Sequence, residues 1–497
     1  MDTATAVQIA PSAYGAAPGL EPIPKFKEHK LAAIRSYMGF LRTGEMPSYP
    51  LEVYLEISNA CDLKCAMCGP FSALSDARKR ALGRDKRGFM SADSLAEPLD
   101  EVLKHAIEVH CFGYGEPTIN PAFPTFIEMV SPYEVNIDFF SNGMHLTDSM
   151  VRLLVDSGVS QITISFSGAT KEDYENVYIG GNFERVLGGI KALSDYKKEK
   201  GTSFPYIVIN SLAYKHHVEK LERFVELMGR NGANSIMLGP IFQTNVVELD
   251  THASIYRPWV EGQTLARAKE IGATLGVGVY SGHYESTAVT SEEQYERRIK
   301  KQFARLDEAG ISHVPVEQLK AYARTIKQSS SVAPEHIERS NSRSLDMMAL
   351  DRGDVRALSD FVAAAELDKD GIFCFEPFKT MFVTTNLDAK PCCNAVVLPP
   401  AAPLGSLRRN SAKEIWDGAP MDLLRRGIAA GQYPSMCHGC MKRKNAYTNH
   451  GLAEKVGRYV GWFEGMFKVP FEVDVQGTLS ALDEKKLWPA VVAGGEF

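Results

Sequence analysis

The stretch Leu51-Glu52-Val53-Tyr54-Leu55-Glu56-Ile57, followed closely by Cys61-Asp62-Leu63-Lys64-Cys65-Ala66-Met67-Cys68, decides how this chain reads. Its first seven residues form a strand candidate with apolar and polar positions interleaved. The cysteines behind it have C-x3-C-x2-C spacing. Zinc sites favour C-x2-C pairs and close with four ligands, whereas a four-iron cluster normally takes four thiolates. Three thiolates in one tight loop leave a coordination position open, which distinguishes a catalytic metal from a structural one. The loop also lies past the C-terminal end of a first strand, where barrel folds carry their active sites.

Working outward, further strand candidates fall at residues 108–112, 135–140, 161–166, 206–212 and 235–238. Amphipathic stretches such as 148–157 and 218–230 lie between them. Six βα units in succession predict an α/β fold with a mostly parallel sheet, open or curved into a partial (βα)6 TIM-like barrel. Residues 1–45 read as a flexible lead-in and a helix over 25–43, and residues 46–282 as the core. Residues 283–367 are charged and helix-prone, with a Ser329-Ser330-Ser331 break, and read as a helical insertion. Residues 368–445 hold four further cysteines besides Cys393 and form a small module. Residues 446–497 are a tail whose Trp462, Phe463, Phe467 and Phe471 predict that it packs.

Composition sets the outer bounds. With 44% hydrophobic and 23% charged residues, 497 residues can bury a sizeable core. A net charge of −6 makes broad nucleic-acid binding a poor expectation. Apolar runs are short and broken by prolines, so no membrane span is expected. The first residues lack a basic and an apolar region, so no secretory signal is read there. The nine cysteines are odd in number and clustered, which favours metal over disulfides and a reducing, cytoplasmic setting.

The cysteine loop resembles that of the radical S-adenosylmethionine (SAM) superfamily. Three later segments are similar to the same family. Gly113-Tyr114-Gly115-Glu116-Pro117 resembles its GGEP motif. Ser141-Asn142-Gly143 is similar to its Thr-Asn-Gly, although an Asn-Gly can also be only a turn. Ile164-Ser165-Phe166-Ser167-Gly168-Ala169-Thr170, with Gly180-Gly181-Asn182-Phe183, resembles its Ile-Ser-x-Asp-Gly-Ala-Thr stretch and the helix start after it.

The resemblance implies that Cys61, Cys65 and Cys68 hold a catalytic [4Fe–4S] cluster whose open iron is chelated by SAM. One electron then cleaves SAM to a 5′-deoxyadenosyl radical that abstracts a substrate hydrogen. Glu116, with Gly113 and Gly115, would hold the SAM amino group. Ser141 and Asn142 would lie near its ribose, and Ser165 near its carboxylate or ribose. Two departures stand out. Ser167 replaces the usual Asp, and Tyr178 stands where many members carry an Arg that pairs with the SAM carboxylate.

Cys374, Cys392, Cys437 and Cys440 follow as C-x17-C-x44-C-x2-C around a hairpin-like run over residues 381–390. This resembles the SPASM module or its shortened relative, the twitch module. It implies a second, auxiliary [4Fe–4S] cluster with four thiolates, suited to electron transfer. Cys393 rivals Cys392 as the ligand. Cys111 is left over, as a small core residue or a hydrogen-atom donor. The twelve histidines form no metal motif, so none is singled out. The expected substrate is a peptide or protein, oxidised or crosslinked, or a carbohydrate-like small molecule, oxidised or epimerised. The expected electron donor is a flavodoxin or ferredoxin. The alternative reading is a zinc-stabilised binding scaffold without catalysis.

Overall fold

The computed structural model describes residues 25–65, 67–68, 88–93, 95–213, 215–239, 263–281, 361–363, 374–392, 403–429, 432–434 and 449–467. Strands β1 (Glu52–Leu55), β2 (Glu108–His110), β3 (Asn136–Ser141), β4 (Gln161–Ser165), β5 (Tyr206–Leu212) and β6 (Ser235–Gly239) match the six expected ones and pair in parallel. A seventh parallel strand, β7 (Gly278–Ser281), adds to β6. Strand β8 (Phe361–Ala363) pairs antiparallel with β12 (Gln432–Pro434). The expected helical insertion therefore contains a strand; the rest of it lies outside the described residues.

The hairpin of the C-terminal module consists of β9 (Thr380–Val383) and β10 (Asp388–Lys390), joined by β11 (Gly405–Ser406). It does not stand apart from the core. β9 pairs in parallel with β1, so one ten-stranded sheet runs β11-β10-β9-β1-β2-β3-β4-β5-β6-β7.

Helices cover the outer face. They are α1 (Lys27–Thr43), α2 (Ala96–His105), α3 (Phe123–Val130), α4 (Asp148–Asp156), α5 (Lys171–Val177), α6 (Phe183–Glu199), α7 (Lys215–Val218), α8 (Leu221–Arg230) and α9 (Gln263–Thr274) in the core. Beyond it lie α10 (Glu376–Lys379), α11 (Ala412–Trp416), α12 (Ala419–Ala429) and α13 (Asn449–Phe467). Local chemistry sets several ends. Gly44 closes α1 in the left-handed conformation, its N–H bonded to Phe40 O. Thr170 and Asn182 cap α5 and α6 through the N–H groups of Asp173 and Arg185. Two of the motif residues are thus helix starts.

Side chains alternate across the sheet. Val53, Val109, Cys111, Ile137, Phe139, Ile162, Ile164, Ile207 and Ile209 join the apolar core with the helices. Cys111, fully buried in that core, is a packing residue. The opposite face carries Glu52 and Tyr54, Glu108 and His110, and Asp138, with the Tyr54 ring 4.1 Å from that of His110. Lys379 Nζ reaches Glu52 at 2.8 Å, and Tyr459 of α13 donates to the same carboxylate. Arg458 Nε lies 3.2 Å from Glu108, and His110 Nδ1 lies 2.8 Å from Asp138. Helix α13, with Trp462 and Phe463 buried, thus docks on the N-terminal ends of β1 and β2. No described helix is long and apolar enough to cross a membrane.

Candidate active site

The loop after β1 carries Cys61, Cys65 and Cys68, half-buried and free of disulfides. Its backbone is held from two sides. Gly115 N–H donates to Ser58 O at 3.2 Å and Glu116 N–H to Ala60 O at 2.8 Å. Lys64 N–H donates to Ile179 O at 2.9 Å. The Gly113–Gly115 turn approaches so closely that side chains are excluded. A Cβ on Gly115 would stand 2.4 Å from the carbonyls of Ser58 and Ala60, and one on Gly113 would stand 2.3 Å from Glu56 Cγ. These glycines serve close approach rather than an unusual φ.

Glu116 joins this turn to the end of β3. Its buried carboxylate accepts from Thr118 N–H (3.1 Å) and Oγ1 (2.5 Å), from Ser141 Oγ (2.9 Å) and from Asn142 N–H (2.6 Å). Burial pushes its pKa up, against the opposing pull of those donors. Asn142 extends the connection, because its Nδ2 donates to Asp62 Oδ1 at 2.7 Å. His145 Nε2 lies 3.0 Å from the other Asp62 oxygen. Burial pushes the Asp62 carboxyl up, but His145 and Asn142 outweigh it and hold the pKa below the usual value. The expected residues Cys61, Glu116, Gly113, Gly115, Ser141 and Asn142 are therefore one connected unit at the C-terminal ends of β1, β2 and β3.

Ser165 ends β4 beside Asn210 of β5, half-buried, and its hydroxyl bonds to no described residue. Ser167 and Tyr178, the two departures, pair with each other at 3.1 Å in the interior. Ser167 Oγ also accepts Leu212 N–H at 2.8 Å. His217 Nδ1 accepts Gly168 N–H, so Nε2 carries the proton toward Ser211 Oγ at 2.6 Å. Burial holds the His217 pKa down at about 3, so this ring is neutral. Ser167, Tyr178, Ser211 and His217 thus form a neutral buried network.

The donor set fits an iron–sulfur cluster. Burial pushes the Cys61 thiol up, with the Glu116 and Asp62 charges adding to it, and burial does the same to Cys65. Such thiols become thiolates when a cationic metal compensates. Glu52, Glu108 and His110, whose ligand-type atoms lie close together, are already met by Lys379, Arg458 and Tyr459. In the C-terminal module Cys374 and Cys392 are half-buried beside the core. Cys393, Cys437 and Cys440 lie outside the described residues.

Sequence reading missed Asp62, His145, Thr118 and Glu56. Glu56 is buried, with Thr385 N–H donating to it at 3.2 Å across the β1–β9 seam. Asp62 lay within the quoted motif and could have been noted as a polar group beside the first cysteine. His145 had no local signal.

Residues 55–228 match the radical SAM superfamily model, and residues 374–441 match the iron–sulfur cluster-binding (SPASM) domain model. The mycofactocin maturase MftC of Mycobacterium tuberculosis is 25% identical over 184 residues, 37% of this chain and 43% of the relative. The tungsten-containing aldehyde ferredoxin oxidoreductase cofactor-modifying protein of Pyrococcus furiosus is 27% identical over 193 residues, 37% and 50% of the two chains. The match thus spans about half the length of these curated relatives. Among solved structures, Streptococcus suis SuiB bound to precursor peptide SuiA superposes with a TM-score of 0.43 at 14% identity, covering 76% of this chain and 66% of that one. Native anSMEcpe with bound AdoMet gives 0.38 at 12% identity, covering 79% and 87%.

Proposed function

We propose, for this radical SAM chain with its C-terminal iron–sulfur cluster-binding domain, that it cleaves SAM reductively and abstracts a hydrogen atom from its substrate. The observation that carries the reading is the joined unit of the cysteine loop, the Gly113–Glu116 turn and the Ser141–Asn142 turn. Cys61, Cys65 and Cys68 would hold a [4Fe–4S] cluster with one iron left open. When bound, the cluster and SAM supply one-electron cleavage of a sulfonium carbon–sulfur bond and, with it, hydrogen-atom abstraction.

The chain's own residues orient these partners. Glu116 and the backbone of the Gly113–Gly115 turn receive the SAM ammonium, a charge-assisted pairing. Asn142 locks that turn to Asp62, so the cluster loop and the SAM-binding turns hold one geometry. Ser165 presents a hydroxyl toward the SAM carboxylate or ribose. Tyr178 faces Ser167, so the SAM carboxylate has no arginine from that position.

Cys374, Cys392, Cys437 and Cys440 would hold a second cluster. Because β9 pairs with β1, the hairpin that begins this module is continuous with the strand leading to the catalytic loop. A cluster filled by these four thiolates would supply electron acceptance rather than direct ligation of the substrate. The substrate we assign is a peptide or protein, in keeping with the maturase among the relatives. Anaerobic reconstitution tests the cofactor part. About eight irons per wild-type chain and about four in Cys374→Ala/Cys392→Ala support it, at four irons per cluster. Zinc without iron or sulfide would point to the scaffold reading instead. A short peptide encoded beside the gene, modified on incubation with enzyme, SAM and dithionite, tests the substrate class.

A further inference from the structure

Tyr174 projects from α5 and is fully buried. Its ring stacks on Tyr178 at 4.8 Å and packs on Phe166 at 4.4 Å. The Tyr178 hydroxyl is paired with Ser167, but the Tyr174 hydroxyl has no hydrogen-bond partner among the described residues. Leaving a buried hydroxyl unpaired costs its full desolvation, and a native fold that keeps one calls for an unseen partner.

The surroundings say where that partner lies. The hydroxyl sits against the Tyr178–Gly181 turn, where a Cβ on Gly181 would stand 3.1 Å from it. The same turn takes the backbone N–H of Lys64, the residue before Cys65, on Ile179 O. Tyr174 therefore stands behind the cysteine loop on the side of its middle ligand. Burial keeps the phenol protonated by pushing its pKa up, and the charges of Tyr178, Cys65 and Asp62 act on it in the same sense. The group is a fixed donor.

We propose that the Tyr174 hydroxyl donates a hydrogen bond to a sulfur at the Cys65 corner of the catalytic cluster and thereby raises that cluster's reduction potential. The inference rests on the assignment of Cys61, Cys65 and Cys68 as the ligands. Hydrogen bonds to cluster sulfurs stabilise the extra negative charge of the reduced state and are one of the levers that set such potentials. Tyr174 is thus a positioning and tuning residue that need not touch the substrate.

Tyr174→Phe tests this, because it keeps the ring and its stacking and removes only the unpaired hydroxyl. Wild type and variant are reconstituted as full chains and titrated by electron paramagnetic resonance without SAM or substrate. At the wild-type midpoint, with iron contents equal, the reduced-to-oxidised ratio of the variant should fall by about three- to tenfold, the worth of one hydrogen bond. The upper figure corresponds to about 59 mV for one electron. An unchanged or higher ratio would overturn the proposal. So would iron loss confined to the variant, since the hydroxyl would then be holding the fold and not tuning a cluster. If neither protein takes up iron, the ligand assignment itself fails, and the tuning role falls with it.

Discussion

The backbone N–H of Asn142 lies 2.6 Å from Glu116 Oε2, and this bond ties the turn after β2 to the turn after β3. Four donors converge on the Glu116 carboxylate, and Asn142 carries the connection on to Asp62 in the cysteine loop. The geometry that joins the three turns therefore depends on a buried acceptor, and the SAM site proposed here would be preorganised by it.

Glu116→Gln places an amide N–H where a donor already points. Loss of charged hydrogen bonds of this kind costs about 1.5–3 kcal/mol each. The variant should unfold at lower denaturant and bind SAM at least about tenfold more weakly after reconstitution. Isothermal titration gives the second number, and an unchanged Kd would remove Glu116 from the SAM site.

Gly115 and Gly113 should respond differently to alanine. The new methyl at Gly115 meets two backbone carbonyls, whereas at Gly113 it meets side-chain carbons of Glu56. Side chains yield more easily than backbone, so Gly115→Ala should cost about 2–3 kcal/mol and Gly113→Ala about 1 kcal/mol. Iron retention during gel filtration should fall in the same order. Equal effects would show that the cysteine loop moves freely.

His110 predicts a pH dependence of stability. Burial pulls its pKa down, but Asp138 and Glu108 outweigh that and hold it at about 9. Glu52, with its partner Lys379, and Arg458 complete the charged surroundings. A pKa raised on folding gives stability that is fully present below the unfolded value near 6.5 and lost as pH rises through about 9. Relative to His110→Gln, wild type should be more stable at pH 6 by on the order of 3 kcal/mol, and the gap should close by about pH 10. Urea titrations at three pH values measure it; a constant gap would mean that His110 is neutral.

Ser167→Asp places a carboxylate in a neutral interior. With His217 uncharged and Tyr178 only a hydroxyl donor, the new carboxylate has no cation hydrogen-bonded at this position among the described residues. It should cost more than the roughly 1 kcal/mol of Tyr178→Phe, which deletes a single hydrogen bond. Thermal melts of both variants compare them directly. A stabilising Ser167→Asp would show that a cation does reach this position.

The six leading strands and the hairpin near residue 385 were legible because alternation and turn chemistry are local signals. β7 was missed because Gly278–Ser281 offers only four residues, two of them Gly and Ser. The pairing of β9 with β1 was not legible, since a parallel ladder between distant segments leaves no mark in either one. The same holds for Lys379 with Glu52, 327 residues apart, and for His145 with Asp62, 83 residues apart. Cysteine spacing marked the candidate loop, but the groups that brace it, Asn142, Asp62 and Thr118, are ordinary polar residues until the fold brings them together. Tyr174 reads as one more core aromatic in the sequence; only its unpaired hydroxyl sets it apart.

The central claim is that Cys61, Cys65 and Cys68 support reductive cleavage of SAM. Chromatographic measurement of 5′-deoxyadenosine, formed anaerobically from SAM and dithionite by reconstituted wild type and by Cys61→Ala/Cys65→Ala/Cys68→Ala, tests it most directly. Wild type should give 5′-deoxyadenosine and methionine, and the triple variant background levels. Equal amounts from both, or none from an iron-loaded wild type, would contradict that claim.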